Sequence, residues 1–366
     1  MSAPAPRPPF RHLLRMTDRR GLFEHADGTI PRIECGYCLD DVARALVVTC
    51  RQRPSTALHL GLVRRYLGFV ISAQAADGRF HNRLSARGLW EDEPHTGDWW
   101  GRGLWGLGTA AVRATEPTVR RRAMLHFGLS ASLRSADPRA MAFAMLGAAE
   151  ILAEQPGDPA CLELASDVVT AIGRPAPSAS WRWPQPRLSY ANAALAEAMI
   201  AAGSALGDAT ALDDGLAMLR WLVDHETHDG RFSVVGVGGG GPADARPAFD
   251  QQPIEVAALA DACDRAWLLT ADPYWTAGLD RAIAWFLGHN DSGTPLYDGA
   301  SGGGRDAITV AGCNTNQGAE STLALISTLQ HAHPAPDRRH AGERTTIYIG
   351  SSAHVPPSAS LVGPSP

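Results

Sequence analysis

Twelve stretches of this chain carry apolar residues at i, i+3, i+4 and i+7, the spacing of a helix with a dry face. They run over 11–20, 40–50, 55–74, 98–113, 118–133, 138–153, 160–172, 190–205, 212–225, 253–269, 274–287 and 318–329. Pro, Gly and Asp punctuate their ends. Two kinds alternate. One is amphipathic and studded with Arg or Asp, as in Leu60-Gly-Leu-Val-Arg-Arg-Tyr-Leu-Gly-Phe-Val. The other is small and apolar all round, as in Ala193-Ala-Leu-Ala-Glu-Ala-Met-Ile-Ala-Ala and Met141-Ala-Phe-Ala-Met-Leu-Gly-Ala-Ala. A helix apolar on every side is buried, whereas one with a charged face is half wet.

Six buried helices alternating with six half-wet ones predict an all-α fold, an (α/α)6 barrel or toroid of six helical hairpins. An irregular helical domain is the plainer alternative. A short echo favours the repeat: Ala-Asp-Gly-Arg-Phe at 76–80 returns as His-Asp-Gly-Arg-Phe at 228–232. Three long connections, 77–97, 228–250 and 288–314, each lead from an outer to an inner helix, which places them at one end of the ring. The Gly-rich run 236–242 lacks the βαβ context of a phosphate loop and reads as a turn. The expected organisation is a disordered start over 1–8, one toroid domain over 9–332 and a disordered tail over 333–366, rich in Pro, Ser and Arg.

Polar clusters stand at the start of the inner helices. Tyr37 precedes Cys38-Leu-Asp-Asp-Val-Ala-Arg44. The others are Gly97-Asp-Trp-Trp-Gly-Arg102, Ala136-Asp-Pro-Arg139, Leu188-Ser-Tyr-Ala-Asn192, Phe249-Asp-Gln-Gln-Pro-Ile-Glu255 and Asn314-Thr-Asn-Gln-Gly-Ala-Glu-Ser321. Carboxylates at helix starts can simply cap free N–H groups. That reading suits Asp137, and one of Asp40 and Asp41. The second of that pair is left to face a cavity, with Arg44 in reach of Asp41. Glu255 fits equally a capping role and a site role.

Composition then narrows the chemistry. The chain has 366 residues, 45% apolar and 19% charged, with a net charge of −5. Neither nucleic acid nor an anionic membrane suits that balance, and no run is apolar for long enough to span a bilayer. All 33 basic residues are Arg. With no Lys there is no Schiff-base amine and no P-loop lysine. The six Cys hold one CxxC pair, Cys35 and Cys38, without a second pair or a His to complete a zinc site. No metal and no cofactor are expected. The N-terminus has no apolar signal core, and a reducing, cytoplasmic setting is the expectation.

The second cluster extends back to Trp90 and packs acids, His95, Asp98, Trp99, Trp100 and Arg102 together. Aromatic faces beside carboxylates suit sugar rings, which stack a C–H face on indole and offer hydroxyls to polar groups. Trp181, Trp183, Tyr190 and Asn192 repeat the theme, while Trp221, Trp267 and Trp285 sit at core positions. Gln251, Gln252, Asn316, Gln317 and Glu320 lack metal-ligand spacing and favour hydroxyl recognition. Glycosidic bonds are cleaved by two carboxyl groups, one protonated and one not. The candidates for that work are Asp41, Asp98, Asp250 and Glu255. Tyr37, Asp40, Arg44, His95, Trp99, Trp100, Arg102, Trp181, Trp183, Tyr190, Asn192, Gln251, Gln252, Asn316, Gln317 and Glu320 are the candidates for holding sugar.

Four ordered blocks now stand out: Gly36-Tyr-Cys-Leu-Asp-Asp-Val-Ala-Arg-Ala, Gly101-Arg-Gly-Leu-Trp-Gly-Leu-Gly, Phe249-Asp-Gln-Gln-Pro-Ile-Glu and Asn316-Gln-Gly-Ala-Glu-Ser-Thr. Over roughly residues 20–330 the chain resembles a bacterial family of the six-hairpin glycosidase superfamily, often labelled glycosyltransferase. It departs at Leu39 and Val42, where the family carries polar residues. It also has Pro184 and Gln185 where an aromatic and an acid are usual. The resemblance implies the toroid, an oligosaccharide or glycan ligand and a possible glycosyltransferase partner. Toroid mannanases use an adjacent Asp pair, which makes Asp40–Asp41 an analogue. The resulting expectation is a glycoside hydrolase acting on mannoside- or glucoside-type glycans. A sugar epimerase or isomerase is the alternative and needs His bases, for which His25, His95 and His225 are available. A non-catalytic glycan-binding partner remains open too. A terpene-cyclase-like toroid lacks its Asp-x-Asp-Asp motif, because Cys38 takes the first place.

Overall fold

The computed structural model describes residues 5–176, 178 and 180–332. The expected tail over 333–366, and the first four residues of the expected disordered start, lie outside them.

Twelve helices are present among the described residues. After the short α1 (Arg11–Arg15) they alternate between inner and outer positions. The inner helices are α2 (Leu39–Arg51), α4 (Asp98–Arg113), α6 (Pro138–Glu154), α8 (Ala193–Leu206), α10 (Pro253–Thr270) and α12 (Ala319–Ala332). Each packs on the next, and α12 closes the ring on α2. The outer helices α3 (Ala57–Ala73), α5 (Pro117–Ser130), α7 (Pro159–Ile172), α9 (Ala209–His225) and α11 (Pro273–Phe286) lie against their inner neighbours, and α1 takes the outer place beside α12. This is the predicted (α/α)6 toroid. No helix among the described residues is long and apolar enough to cross a membrane.

Four segments, those expected over 11–20, 55–74, 118–133 and 190–205, are shorter than their periodicity predicts, and two of them have a visible local cause. The helix expected over 11–20 ends at Arg15, because the Asp18 carboxylate accepts from the N–H groups of Arg20 (2.7 Å) and Gly21 (3.1 Å) and turns the chain. The helix expected from 190 starts at Ala193, because Ala191 is left-handed with φ 45°.

Glycines let α4 and α6 approach closely. A Cβ on Gly108 would lie 2.6 Å from the carbonyl carbon of Gly147, and one on Gly101 would lie 2.8 Å from that of Ala140. Along the ring axis, the Arg102 guanidinium sits 3.9 Å from the Phe143 ring, Phe143 stacks on Trp105 at 5.8 Å, and Arg51 covers Trp105 at 5.4 Å. These side chains lie between the two ends of the barrel, around a narrow cavity of about 50 Å³ lined by Arg44 and Arg102 on one side and Glu197 and Asp261 on the other.

Capping differs between the helices. Asp137, Asp158, Asp208 and Asp272 accept from first-turn N–H groups of α6, α7, α9 and α11. The inner helices α2, α4, α8 and α10 have no side-chain cap. Apart from Asp137, then, the acids and amides at those inner-helix starts are not spent on their own termini.

Candidate active site

At the N-terminal ends of the inner helices lies a cavity of about 370 Å³. Its wall holds Asp40, Asp41 and Arg44 from α2, Glu320 and Ser321 from α12, and Asp250, Gln252, Asp306 and Glu24 from the connecting segments. The connections that form its rim are tied to each other by backbone pairing. Gln251 bridges to Gly236 and Ile308, and Tyr37–Cys38 pairs antiparallel with Arg83–Leu84.

One nitrogen organises the acids. Arg44 Nη2 lies 2.8 Å from Asp41, 3.2 Å from Asp40 and 3.1 Å from Glu320. Asp40 also forms an ion pair with Arg102, whose Nε reaches Asp98 at 3.1 Å. The Tyr190 hydroxyl hydrogen-bonds Asp98 in turn. Four carboxyl groups thus share two buried guanidinium groups. Two cations cannot neutralise four anions, and the most buried acids give up their charge first. Burial lifts Asp41 well above the usual carboxylate range against the pull of Arg44, and neighbouring Asp40 and Glu320 push the same way. Asp98 is raised by burial and by Asp40, against Arg102. Asp41 is almost fully buried, while the Asp40 side chain keeps 22% of its exposure. The result is a buried acid pushed toward its protonated form beside a more open Asp40 in one cavity.

Glu24, Cys38 and Asp41 place ligand atoms within 4.8 Å of one another, close enough to share a cation. These donors are already engaged: Arg83 binds Glu24 at 2.6 Å, the Cys38 thiol donates to Asn82 (3.2 Å), and Arg44 binds Asp41. Burial and the adjacent acids hold the Cys38 thiol protonated, so it is a poor metal ligand.

Several expected sugar contacts belong to the core instead. Tyr37 is buried, stacks on Phe23 at 4.9 Å and donates to Asp18 (2.8 Å). Trp100 is fully buried. Trp181 and Trp183 are buried against Trp221, with His225 stacked beneath at 4.7 Å. Their indoles fill space between the loop and α9, where they do more by burying area than by facing water. Outside the core, Trp99 is half-buried and donates to the Phe80 carbonyl (2.7 Å), while His95 pairs with Phe80 through its backbone and leaves its side chain exposed. Gln251 is buried and donates to Asp291 (2.7 Å). Gln317 is buried between Ser301 and Asp298, and Asn316 accepts from Gly28 N–H (2.9 Å).

Glu255 is buried behind the cavity wall. It neither caps its own helix nor lines the cavity: it accepts from the N–H groups of Ala191 (2.5 Å) and Asn192 (3.3 Å) and from the Asn192 side chain (3.0 Å). Arg139 holds the other side of Asn192 at 3.2 Å. Glu255 thereby fixes the start of α8 in place of a cap. Its neighbour Glu226 is buried too, and one of its oxygens has no partner. Burial raises Glu255 to about 7 and Glu226 to about 8, the latter also pushed by Glu255. The folded chain therefore keeps protons that the unfolded chain loses near the ordinary value of 4.5. Their stabilising contribution is full below that value and fades as pH rises through 7 and 8. Glu226→Gln should leave the melting temperature little changed at about pH 5 and raise it by at least about 2 °C at about pH 9. Thermal melts across that range check it; an equal effect at both ends would contradict the assignment.

Glu24, Asp306 and Arg83 are site residues that periodicity does not reveal. They lie in connections with no repeat, and the one cue is that Asp306 ends the run Gly302-Gly-Gly-Arg.

No family model matches the chain, and no curated protein matches it in sequence. Solved structures do match in fold. The chain is similar to a D-mannose isomerase (TM-score 0.67, 10% identity, covering 88% of this chain and 94% of that one). It is also similar to a sugar epimerase from a ruminal bacterium (TM-score 0.65, 11%, 89% and 95%). A third is an α-1,6-mannanase of Salegentibacter sp. in complex with α-1,6-mannotriose (TM-score 0.57, 11%, 88% and 96%). At these identities the likeness is one of fold.

Proposed function

We propose that the chain is a carbohydrate-active enzyme that hydrolyses glycosidic bonds of mannoside- or glucoside-type glycans at the acidic mouth. The observation that carries this reading is the pairing of the buried Asp41 with the more open Asp40 around one guanidinium. Asp41 hands its proton to the leaving oxygen as the C–O bond breaks. Asp40 takes the anomeric carbon as a glycosyl ester. Water then cleaves the ester, giving its proton to Asp41. Both carboxylates touch the same nitrogen, at 2.8 and 3.2 Å, so their bound oxygens lie within about 6 Å. That spacing favours this two-step route with retained configuration, because a water-activating pair stands further apart. Asp250, Gln252 and Glu320 line the same cavity and take sugar hydroxyls.

The solved toroids support a sugar ligand, and the α-1,6-mannanase among them is an inactive variant with two adjacent aspartates replaced by asparagine. The block resemblance of the chain to the six-hairpin superfamily points the same way. The sugar epimerase and mannose isomerase favour a second reading, proton exchange next to a carbonyl. That chemistry needs a base, and His25 is the sole histidine in the described cavity wall. His95 makes an isolated backbone bridge to Phe80 outside the cavity wall, and His225 is sunk under Trp181 with burial pulling it down to about 4. Incubation with a panel of mannosides and glucosides should release reducing ends. Epimer or aldose–ketose exchange without cleavage would overturn the hydrolase reading for the isomerase. Binding without turnover would overturn it for a glycan-binding partner of a glycosyltransferase.

A further inference from the structure

The far end of the barrel, beyond Phe143 and Trp105, holds a larger cavity of about 470 Å³. Each of the six inner helices contributes a charged residue to it: Arg51, Arg113, Glu150, Glu197, Asp261 and His331. All are paired. Arg51 and His331 meet Asp261 at 3.1 and 2.6 Å, and His331 reaches Asp264 at 3.3 Å. Arg113 meets Glu150 at 2.7 Å, and Arg265 meets Glu197 at 2.9 Å. The attraction of helix C-termini for cations explains the arginines and the histidine. It does not explain four carboxyl groups, nor why the ring leaves this space open.

The wall is kept open by small side chains. Ala149, Ala153, Ala201 and Ala205 face the cavity where Leu would fill it. The cavity opens to solvent past the exposed Ala153, Pro156 and Ser204, so a molecule can enter from that end of the barrel.

The charge balance sets the class of ligand. Three arginines and a His331 held cationic by its two aspartates face four carboxyl groups. An ion entering would compete with ion pairs that already satisfy one another. An uncharged molecule that both donates and accepts, with an apolar face for Leu152 and Leu268, fits it. We propose that this cavity is a second binding site, for a small uncharged polyhydroxylated molecule of the free mono- or disaccharide class. Phe143 and Trp105 leave only a narrow cavity of about 50 Å³ between it and the mouth, and it does not depend on the mouth being catalytic.

The full chain carrying Asp40→Asn and Asp41→Asn, which cannot cleave sugar during the titration, should bind free hexoses or disaccharides calorimetrically at the far end besides any binding at the mouth. Adding Ala205→Trp at the rim should weaken that binding by about tenfold or more. On the unaltered chain, saturating sugar should slow amide exchange over 197–205 and 261–269, a readout independent of any variant. No binding by any sugar of the panel, or slowing confined to the mouth segments 236–252 and 306–320, would overturn the proposal. Undiminished affinity in a folded Ala205→Trp protein would overturn it too.

Discussion

Asp41→Asn is expected to lower turnover about 10³-fold on any glycan the protein cleaves, within the range assigned to a lost general acid. The melting temperature should hold or rise. The carboxyl is almost fully buried, and burial pushes it toward the protonated form against Arg44. An amide has the shape of the neutral acid, and its oxygen can still accept from Arg44 at the 2.8 Å now seen. Removing the raised acid also removes its alkaline liability: its stabilising contribution is complete below the ordinary carboxylate range and is lost as pH climbs through the raised value. Activity and stability should therefore separate, with the variant at least as stable as the parent above neutral pH. Steady-state kinetics beside thermal melts test both halves. A variant that turns over normally would remove Asp41 from the mechanism. One that is inactive because it is unfolded would give it a structural role.

The largest expected loss of stability comes from Gly108→Val, at about 3 kcal/mol or more, the upper end of what overpacking a core produces. The added side chain meets backbone: the carbonyl carbon and Cα of Gly147 lie 2.6 and 2.7 Å from the Cβ position. Backbone cannot rotate away as a flexible side chain would. To accept the branch, α4 and α6 must part along a seam that also holds Gly101 against Ala140. Asp98 and Arg102 ride on α4, so the acid cluster should loosen with it. Gly128→Ala makes the control, because α5 offers open space around that position; it should be neutral or stabilising by about 0.5–1 kcal/mol. Denaturant titration of both variants compares them, and equal midpoints would show that the seam is not a close contact.

What could be read from the chain follows from where each signal originates. A helix apolar all round must be buried, so alternation along the sequence carried the ring and its six inner helices. Asp40 and Asp41 were legible because they stand at a helix start. The structure adds that neither caps, since Arg44 and Arg102 engage them instead. The tryptophans misled because an indole in a loop looks the same whether it faces water or a neighbouring helix. Trp181 and Trp183 meet Trp221, forty residues on, and no local pattern encodes that meeting. The far cavity did leave a trace. Glu197 interrupts the Ala-rich run of α8 and Asp261 that of α10, and a lone charge in a helix apolar all round needs a buried partner.

The central claim is that a glycosidic bond lies across Asp40 and Asp41. A crystal structure of the Asp40→Asn, Asp41→Asn protein soaked with an oligosaccharide it binds tests this most directly. The account predicts a sugar in the mouth cavity with a glycosidic oxygen about 3 Å from the side chain at position 41 and the adjoining anomeric carbon facing position 40. An ordered oligosaccharide whose glycosidic oxygens all lie out of reach of both positions would contradict it.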